Sequence, residues 1–371
     1  MSQTLRIATF NVSMEASNYL PKGTRPVGNE LFERLASGDN SQIKNIAEII
    51  QIIRADIILL NEFDYTQAAD IGVEAFIKNY LNVAQQNNQA IDYPYYYTAP
   101  VNTGVDSGLD LDKDGIASGL GSDAFGFGLY PGQYGMLILS RFPIETKRIR
   151  TFQHFLWKDM PNSLLASIKD EQGKAWFSDE AQQVLRLSSK SHWDVPVSVD
   201  GQTLHVLASH PTPPVFDGFE DRNGKRNHDE IRFWFDYING DERAAYIYDD
   251  VGRSGGLDAT SFVIVGDLNA SAVEGDGIKS GIGSLLASEL INSSTIPKSE
   301  GAAQLRPQNG HGESHTAEWG MRADYVLPSA NLKIIDSGVF WPVSTELTFR
   351  LIKDRQASSD HRLVWVDIHL P

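Results

Sequence analysis

The sequence predicts an α/β fold in which two packed mixed β-sheets carry helices on their outer faces. Three observations lead there. Short runs that are apolar on both faces alternate along the chain with amphipathic helical segments. No repeat of fixed period and no linker of domain-separating composition interrupts them. A length of 371 residues with 41% hydrophobic side chains suffices for one large layered core, so a single domain over residues 1–371 is expected.

The first strand runs from Leu5 to Val12, alternating and rich in residues that favour strands. A helix follows from about Ser41, read as its N-cap, with Ile43, Ile46, Ile49, Ile50 and Ile53 on one face. Asp56 to Asn61 reads as a buried central strand, and a second amphipathic helix is predicted over about Ile71 to Ala84. Residues 101–132 are rich in Gly and Asp. A loop of that length in a compact domain points to a functional or metal-ordered insert. Further strands are predicted at Gly135 to Ser140, Thr203 to Ser209, Phe262 to Val265, Ala323 to Leu327 and Leu363 to His369. Helical signals at His228 to Tyr248 and Gly281 to Leu290 lie between them.

The formal charge of −16, from 48 acidic against 32 basic side chains, repels polyanions unless bound cations or a local basic patch reverse the field. That weighs against long nucleic acid as the main substrate. With no cysteine, disulfides, thiolate ligands and a cysteine nucleophile are excluded, and any metal must sit on oxygen or imidazole. No apolar run approaches the roughly 20 residues of a membrane span, so a soluble chain is expected. A strand beginning at Leu5 leaves no room for a signal peptide, whereas the total lack of cysteine keeps export open, to the periplasm or outside the cell, with a signal already removed.

Four short motifs carry chemistry. Val263 to Ala270 is a strand ending in Asp267 and Asn269, whose spacing puts both on one side of an extended chain where a phosphate can lie. Ser358 to Arg362 joins a carboxylate to an imidazole, with Asp360 suited to a metal and His361 to a reacting phosphate, although such pairs are common in surface turns. Glu62 emerges from the apolar run Ile58 to Asp64, where a carboxylate is either exposed at a strand end or in need of a hard cation. His210 follows a strand and precedes a proline-stiffened turn that fixes its direction, a placement equally open to a structural histidine; His205 reads as packing.

A resemblance rests on these residues. Asn11 in Ala-Thr-Phe-Asn-Val, Glu62 in Asn-Glu-Phe-Asp and Tyr134 in Gln-Tyr-Gly-Met-Leu-Ile-Leu-Ser-Arg are followed by His210 in Ser-His-Pro and by Asp267 and Asn269 in Gly-Asp-Leu-Asn. Asp324 in Arg-Ala-Asp-Tyr-Val-Leu and the pair Asp360 and His361 in Ser-Asp-His complete the series. Over nearly the whole chain and in order, they resemble the successive motifs of the endonuclease/exonuclease/phosphatase, or DNase I-like, superfamily. That superfamily includes DNase I, abasic-site endonucleases, inositol polyphosphate 5-phosphatases and sphingomyelinases. The resemblance implies a four-layer α/β/β/α sandwich that hydrolyses a phosphoester with Mg²⁺, Mn²⁺ or Ca²⁺. It implies Glu62 as principal metal ligand with Asp360 and Asn11 beside it, and Asp267 orienting or deprotonating the attacking water. Asn269, His210 and Tyr134 would hold phosphate oxygens, while His361, oriented by Asp324, stabilises the developing charge or acts as acid/base.

Two segments go beyond those motifs. From Asp217 to Arg232, Asn227 and Glu230 read as a capping box, and Arg222, Lys225, Arg226, His228 and Arg232 form a basic cluster just after His210. A helix N-terminus among cations is an anion site, so the cluster is expected to grip a substrate phosphate or a second acidic group, the alternative being a solvated helix start. The stretch resembles secreted bacterial members described as phytase-like or phosphatase-like. Asp110, Asp112 and Asp114 before Gly115 match the first half of a calcium loop, but Gly121 stands where a bidentate Glu is needed, so a structural Ca²⁺ and a solvated acidic loop are both open. Ser314 to Trp319 maps onto no catalytic role. A phosphatase or phosphodiesterase acting on small phosphorylated compounds is the expected function, with a non-specific nuclease as the alternative. A silent binding module on the same fold is the third reading, opposed by the presence of Glu62, His210, Asp267 and His361.

Overall fold

A computed structural model describes residues 4–370. Its strands are β1 (Thr4–Met14), β2 (Ile57–Phe63), β3 (Tyr95–Tyr97), β4 (Met136–Ser140), β5 (Arg150–Thr151), β6 (His192–Val199), β7 (Gln202–Ser209), β8 (Phe262–Asp267), β9 (Asp324–Pro328), β10 (Lys333–Val339) and β11 (Val364–His369). One sheet has the order β10-β11-β1-β2-β4-β3 and the other β5-β6-β7-β8-β9. Both are mixed. β1 runs parallel to β2 and antiparallel to β11; β7 runs parallel to β8 and β8 antiparallel to β9.

Alternation along the strands assigns their faces. Val206 and Ala208 of β7, Val263 and Val265 of β8 and Val326 of β9 enter the core shared with the first sheet. Their neighbours Leu207, Phe262, Ile264, Tyr325 and Leu327 point the other way, onto Ile231, Trp234, Tyr237 and Ile238 of the helix Arg222–Asn239. The helix Ser41–Ile53 sits in the crossover between parallel β1 and β2 and buries Ile43, Ile46, Ile49 and Ile50 in the core of that first sheet. Two mixed sheets between flanking helices are the predicted α/β/β/α sandwich.

Several boundaries differ from expectation. The cap of Ser41–Ile53 is Asn40, whose side chain accepts the Ile43 N–H, and Ser41 is the first helical residue. The second helix is shorter than predicted, Val73–Phe76 followed by a widened turn through Leu81, because the Asn82 N–H closes on the Ile77 carbonyl. The helix after His210 begins at Arg222 rather than His228, its first turn anchored where the Asn223 N–H meets Asp217 Oδ2 at 2.7 Å. Strand β6 was hidden by Pro196; beyond the two residues of β5 this strand has little ladder on one side, and a missing N–H is tolerated there. β10 was hidden by its edge position, which leaves Lys333, Ile335 and Asp336 exposed and breaks the alternation. Among the described residues no helix is long and apolar enough to cross a membrane.

The insert at 101–132 is a loop pinned by main-chain bridges Thr103 to Gly126, Asp106 to Ala124 and Gly121 to Gly128. It docks on Ser188 to Lys190, just before β6. A Cβ on Gly126 would stand 1.9 Å from the Ser189 carbonyl oxygen, so only glycine permits that approach.

His192, at the start of β6, is buried against Phe233 and Trp234. Its Nε2–H donates to the Glu230 carbonyl at 2.9 Å, and its Nδ1 accepts the Ser188 hydroxyl at 3.1 Å. Burial pushes its pKa from 6.5 down to about 4, so the folded ring stays neutral while the unfolded ring titrates. Between those values the unfolded chain binds more protons, and stability falls as pH drops through the window, by about 3 kcal/mol for this group. Urea denaturation at pH 7 and pH 4.5 is expected to show a shallower acid loss in His192→Gln than in the parent. Equal losses in the two proteins would refute the assignment.

Candidate active site

Strand direction brings the motifs to one edge. Asn11 near the end of β1 pairs in register with Asn61 of β2, and Glu62 follows. Asp267 ends β8 opposite Asp324, which starts antiparallel β9. His210 follows β7, parallel to β8, and His361 lies just ahead of β11, antiparallel to β1. The two sheets are stitched there by Asn61, whose Oδ1 accepts the Asp267 N–H at 3.0 Å. Nothing in the sequence distinguished this amide. Glu62, Tyr134 and Asn269 all have left-handed backbone, with φ of 57°, 56° and 50°. Such strain, on the order of 1–3 kcal/mol per residue, persists only where surrounding structure imposes it, and three of the non-glycine residues that carry it stand at this edge.

Asp267 is the hub. Its Oδ1 accepts the Asn269 N–H at 2.9 Å, while its Oδ2 faces Asn11 Nδ2 at 3.1 Å, His210 Nε2 at 3.4 Å and His361 Nε2 at 3.5 Å. Burial disfavours its charge, yet His361 and His210 hold its carboxyl well below the ordinary range. His361 shows the reciprocal effect. Burial works against the imidazolium, but Asp324 and then Asp267 outweigh it and push the ring up to about 10. His361 Nδ1 donates to Asp324 Oδ2 at 2.9 Å, an oxygen that also accepts from Thr316 Oγ1 at 2.6 Å. Trp319 meets the His361 ring edge-on at 4.9 Å. The segment Ser314 to Trp319 is therefore the outer support of this pair. Arg362 braces the motif from behind, donating to the carbonyls of Ser359, His361 and Ile352.

His210 is buried, and burial together with the charge of Lys190 lowers it to about 4, a neutral ring. Its turn is held by two residues read from sequence as a capping box. With the helix starting at Arg222, both lie inside it: Asn227 donates to the carbonyls of Thr212 and Leu268, and Glu230 accepts the N–H groups of Thr212 and Ser189. Asn269 donates to the Pro211 carbonyl at 3.1 Å, committing one of its amide hydrogens to the same turn.

Glu62 and Asp360 provide the oxygen-rich corner. Burial pushes Glu62 up to about 7, Asp360 adds to this, and a hydrogen bond from Asn11 opposes it. Asp360 accepts Ser13 Oγ at 3.2 Å and faces Arg355 at 3.2 Å. Carboxylates crowded until one resists ionisation are the donor set a hard divalent cation relieves, so the residues fit Mg²⁺ or a similar ion. Asn11 stands between this corner and the hub. Its Oδ1 accepts the Ser13 N–H at 3.2 Å and its amide nitrogen serves Asp267 and Glu62, so it joins the two carboxylates. Donor atoms of Asp267, Asp324 and His361 also lie within 4.8 Å of one another. There the imidazole protons already bridge the carboxylates.

The basic cluster divides. Arg222 and Arg226 line a cavity of about 540 Å³ shared with Glu62, Tyr134 and His210. Arg226 is spent on the carbonyls of Leu187, Phe125 and Arg186, and Arg222 pairs with Glu220 over the Trp176 ring. His228 and Arg232 turn away, to Asp229 at 3.0 Å and Asp236 at 3.2 Å. Helical spacing explains the split, since residues four apart share a face and those six apart do not. Tyr134 keeps its phenol proton, its pKa raised by burial, and its N–H donates to Asp64 at 3.0 Å. In the insert, Asp123 rather than Asp114 joins Asp110 and Asp112 within 4.8 Å. Asp114 instead accepts the Ile116 N–H at 2.8 Å; Asp123 accepts those of Leu111 and Ser118, and Asp110 those of Lys113 and Gly115. The loop is thus held by its own backbone donors.

Residues 8–361 match the model of the Endonuclease/Exonuclease/phosphatase family. A solved endonuclease/exonuclease/phosphatase from Beutenbergia cavernae is 18% identical with a TM-score of 0.51, covering 99% of this chain and 72% of its own. A family protein from Leptotrichia buccalis is 15% identical with a TM-score of 0.49, covering 99% and 100%. The human Nocturnin catalytic domain with bound sulfate is 13% identical with a TM-score of 0.46, covering 100% and 98%. No curated protein matches the chain in sequence.

Proposed function

The chain belongs to the endonuclease/exonuclease/phosphatase family, and on that premise we propose that it hydrolyses small phosphoesters with a hard divalent cation, Mg²⁺, Mn²⁺ or Ca²⁺. One observation carries the reading. An amide and two imidazoles from three distant segments meet a single oxygen of Asp267, beside the crowded carboxylates Glu62 and Asp360 at the end of a cavity.

Bound to Glu62 and Asp360, a cation supplies charge neutralisation for an anionic phosphoester and lowers the pKa of water. The remaining work falls to the chain's own side chains. Asp267 aims the attacking water; its depressed pKa makes it a good hydrogen-bond acceptor and a weak proton acceptor, which favours orientation over deprotonation. The His361 imidazolium, fixed by Asp324, faces the negative charge that develops at phosphorus. The protonated Tyr134 phenol donates to a phosphoryl oxygen, while neutral His210 directs its one N–H at Asp267 and fixes that carboxylate toward the water. A cavity of about 540 Å³ in a chain of charge −16 suits a small substrate better than a duplex.

Release of p-nitrophenol from the mono- and bis-(p-nitrophenyl) phosphates, alongside plasmid nicking, tests the proposal. With Mg²⁺ or Mn²⁺ the esters are expected to be cleaved, with a loss of at least about 100-fold on chelation and recovery on adding metal back. Nicking without release from either ester would favour the nuclease reading. Inactivity on all three substrates would favour a binding module.

A further inference from the structure

Lys190, in the Ser188–Lys190 segment that receives the insert, lines the cavity together with His210 and the turn that follows it. It is 5% exposed, and among the described residues its ammonium has no hydrogen-bond or ion-pair partner. Glu230, the carboxylate whose charge acts on it most, is engaged instead by the Ser189 N–H at 2.7 Å, the Ser189 hydroxyl at 3.2 Å and the Thr212 N–H at 2.6 Å. A buried ammonium without an acceptor is costly, and this one lines a cavity through which an acceptor can arrive from outside. Its charge is felt by Glu62, Asp267 and His210, so it adjoins the centre described above.

The other wall of the cavity has a different character. Leu111, Trp157, Phe177 and Leu185 line it, and Phe127 and Phe216 stand at its mouth, the latter 88% exposed. Arg222, Arg226 and Arg355 of the same lining are committed to Glu220, to main-chain carbonyls and to Asp360, so aromatic surface beside the remaining ammonium is matched by a ligand with an anionic head and an apolar body.

We propose that Lys190 binds an anionic oxygen of the substrate's phosphoryl group and that the aromatic wall takes the esterified organic group, so that the substrate is a small phosphoester of an aromatic or bulky apolar alcohol. This deepens the catalytic reading and rests on it for the word substrate. The binding itself is separable from turnover, because phosphonates present the same head on a bond the enzyme does not hydrolyse.

The test is calorimetric titration of the full chain, in Mg²⁺, with benzylphosphonate and methylphosphonate, on the parent, Lys190→Met and Lys190→Arg, together with melting curves. The parent is expected to bind benzylphosphonate about tenfold more tightly than methylphosphonate. Lys190→Met is expected to weaken benzylphosphonate at least about 10-fold, with Lys190→Arg retaining most of the affinity, as for a charge-assisted hydrogen bond. Lys190→Met is also expected to melt higher, since it removes a desolvated charge. Lower melting with unchanged binding would make Lys190 a counterion of Glu230 and overturn the proposal. So would equal affinity for the two phosphonates, or no binding of either by the parent. Failure of ester hydrolysis with these binding results intact would overturn the catalytic reading alone.

Discussion

Asp267→Asn is expected to lower kcat on a p-nitrophenyl ester by about 10³-fold with little change in KM. The asparagine side chain keeps the size of the aspartate but removes the negative charge that Asn11, His210 and His361 all face. A positioned base or water-orienting group contributes about 10²–10⁴-fold, and the variant also loses the charge that helps keep His361 an imidazolium. Because Glu62 and Asp360 are untouched, binding of metal and substrate is spared, which is why the loss falls on kcat. Three donors lose an anionic acceptor in a buried site, so a destabilisation of about 1–3 kcal/mol is expected alongside. Steady-state kinetics below the variant's unfolding transition separate the two effects. Retention of a tenth of the parent kcat would rule Asp267 out of the chemistry.

Asp324→Asn is expected to cost about 10²–10³-fold in kcat. The carboxylate has no route to the substrate of its own; it acts by holding His361 Nδ1–H at 2.9 Å and sustaining the positive ring. Thr316→Val removes the hydroxyl that donates to the same Asp324 oxygen at 2.6 Å and that accepts the Ala323 and Asp324 N–H groups, so about tenfold is expected there, measured below the variant's unfolding transition. The graded order is the informative part. If Thr316→Val and Asp324→Asn leave kcat at the parent value while His361→Ala abolishes it, then His361 works without its orienting partner and the dyad is structural.

Part of the site was legible because some of its residues sit where a strand stops, and a polar side chain at the end of an apolar run is visible one segment at a time; Asn11, Tyr134 and Asp324 were named by the family resemblance alone. Glu62, His210 and Asp267 are of this kind, and the structure brings them to one edge. The supporting residues were not legible. Asn61 lies inside an apolar strand and meets Asp267 from 206 residues away; Glu230 lies inside a helix and serves Ser189 and Thr212. Thr316 and Trp319 belong to a stretch without periodicity, and only its contact with Asp324 and His361 gives it a role. The basic cluster misled because a run of cations on a line says nothing of direction until the first helical residue is known. One helix beginning at Arg222 sent Arg222 and Arg226 to the cavity and His228 and Arg232 elsewhere. Asp123 replaced Asp114 in the insert for a related reason, since the bridge from Asp106 to Ala124 folds the loop back on itself.

By itself the sequence determined the α/β alternation, the strands whose ends carry chemistry and the kind of donor available, oxygen and imidazole without sulfur. Those are properties of period, propensity and side-chain type, and they act within a few residues. Only the tertiary structure decided which donors meet, that Asn11 joins carboxylates, that His361 is charged and His210 neutral, and that Lys190 faces a cavity with no partner among the described residues. Charge state and hydrogen bonding depend on distance across two sheets and on exclusion of water, and neither exists until the sheets have packed.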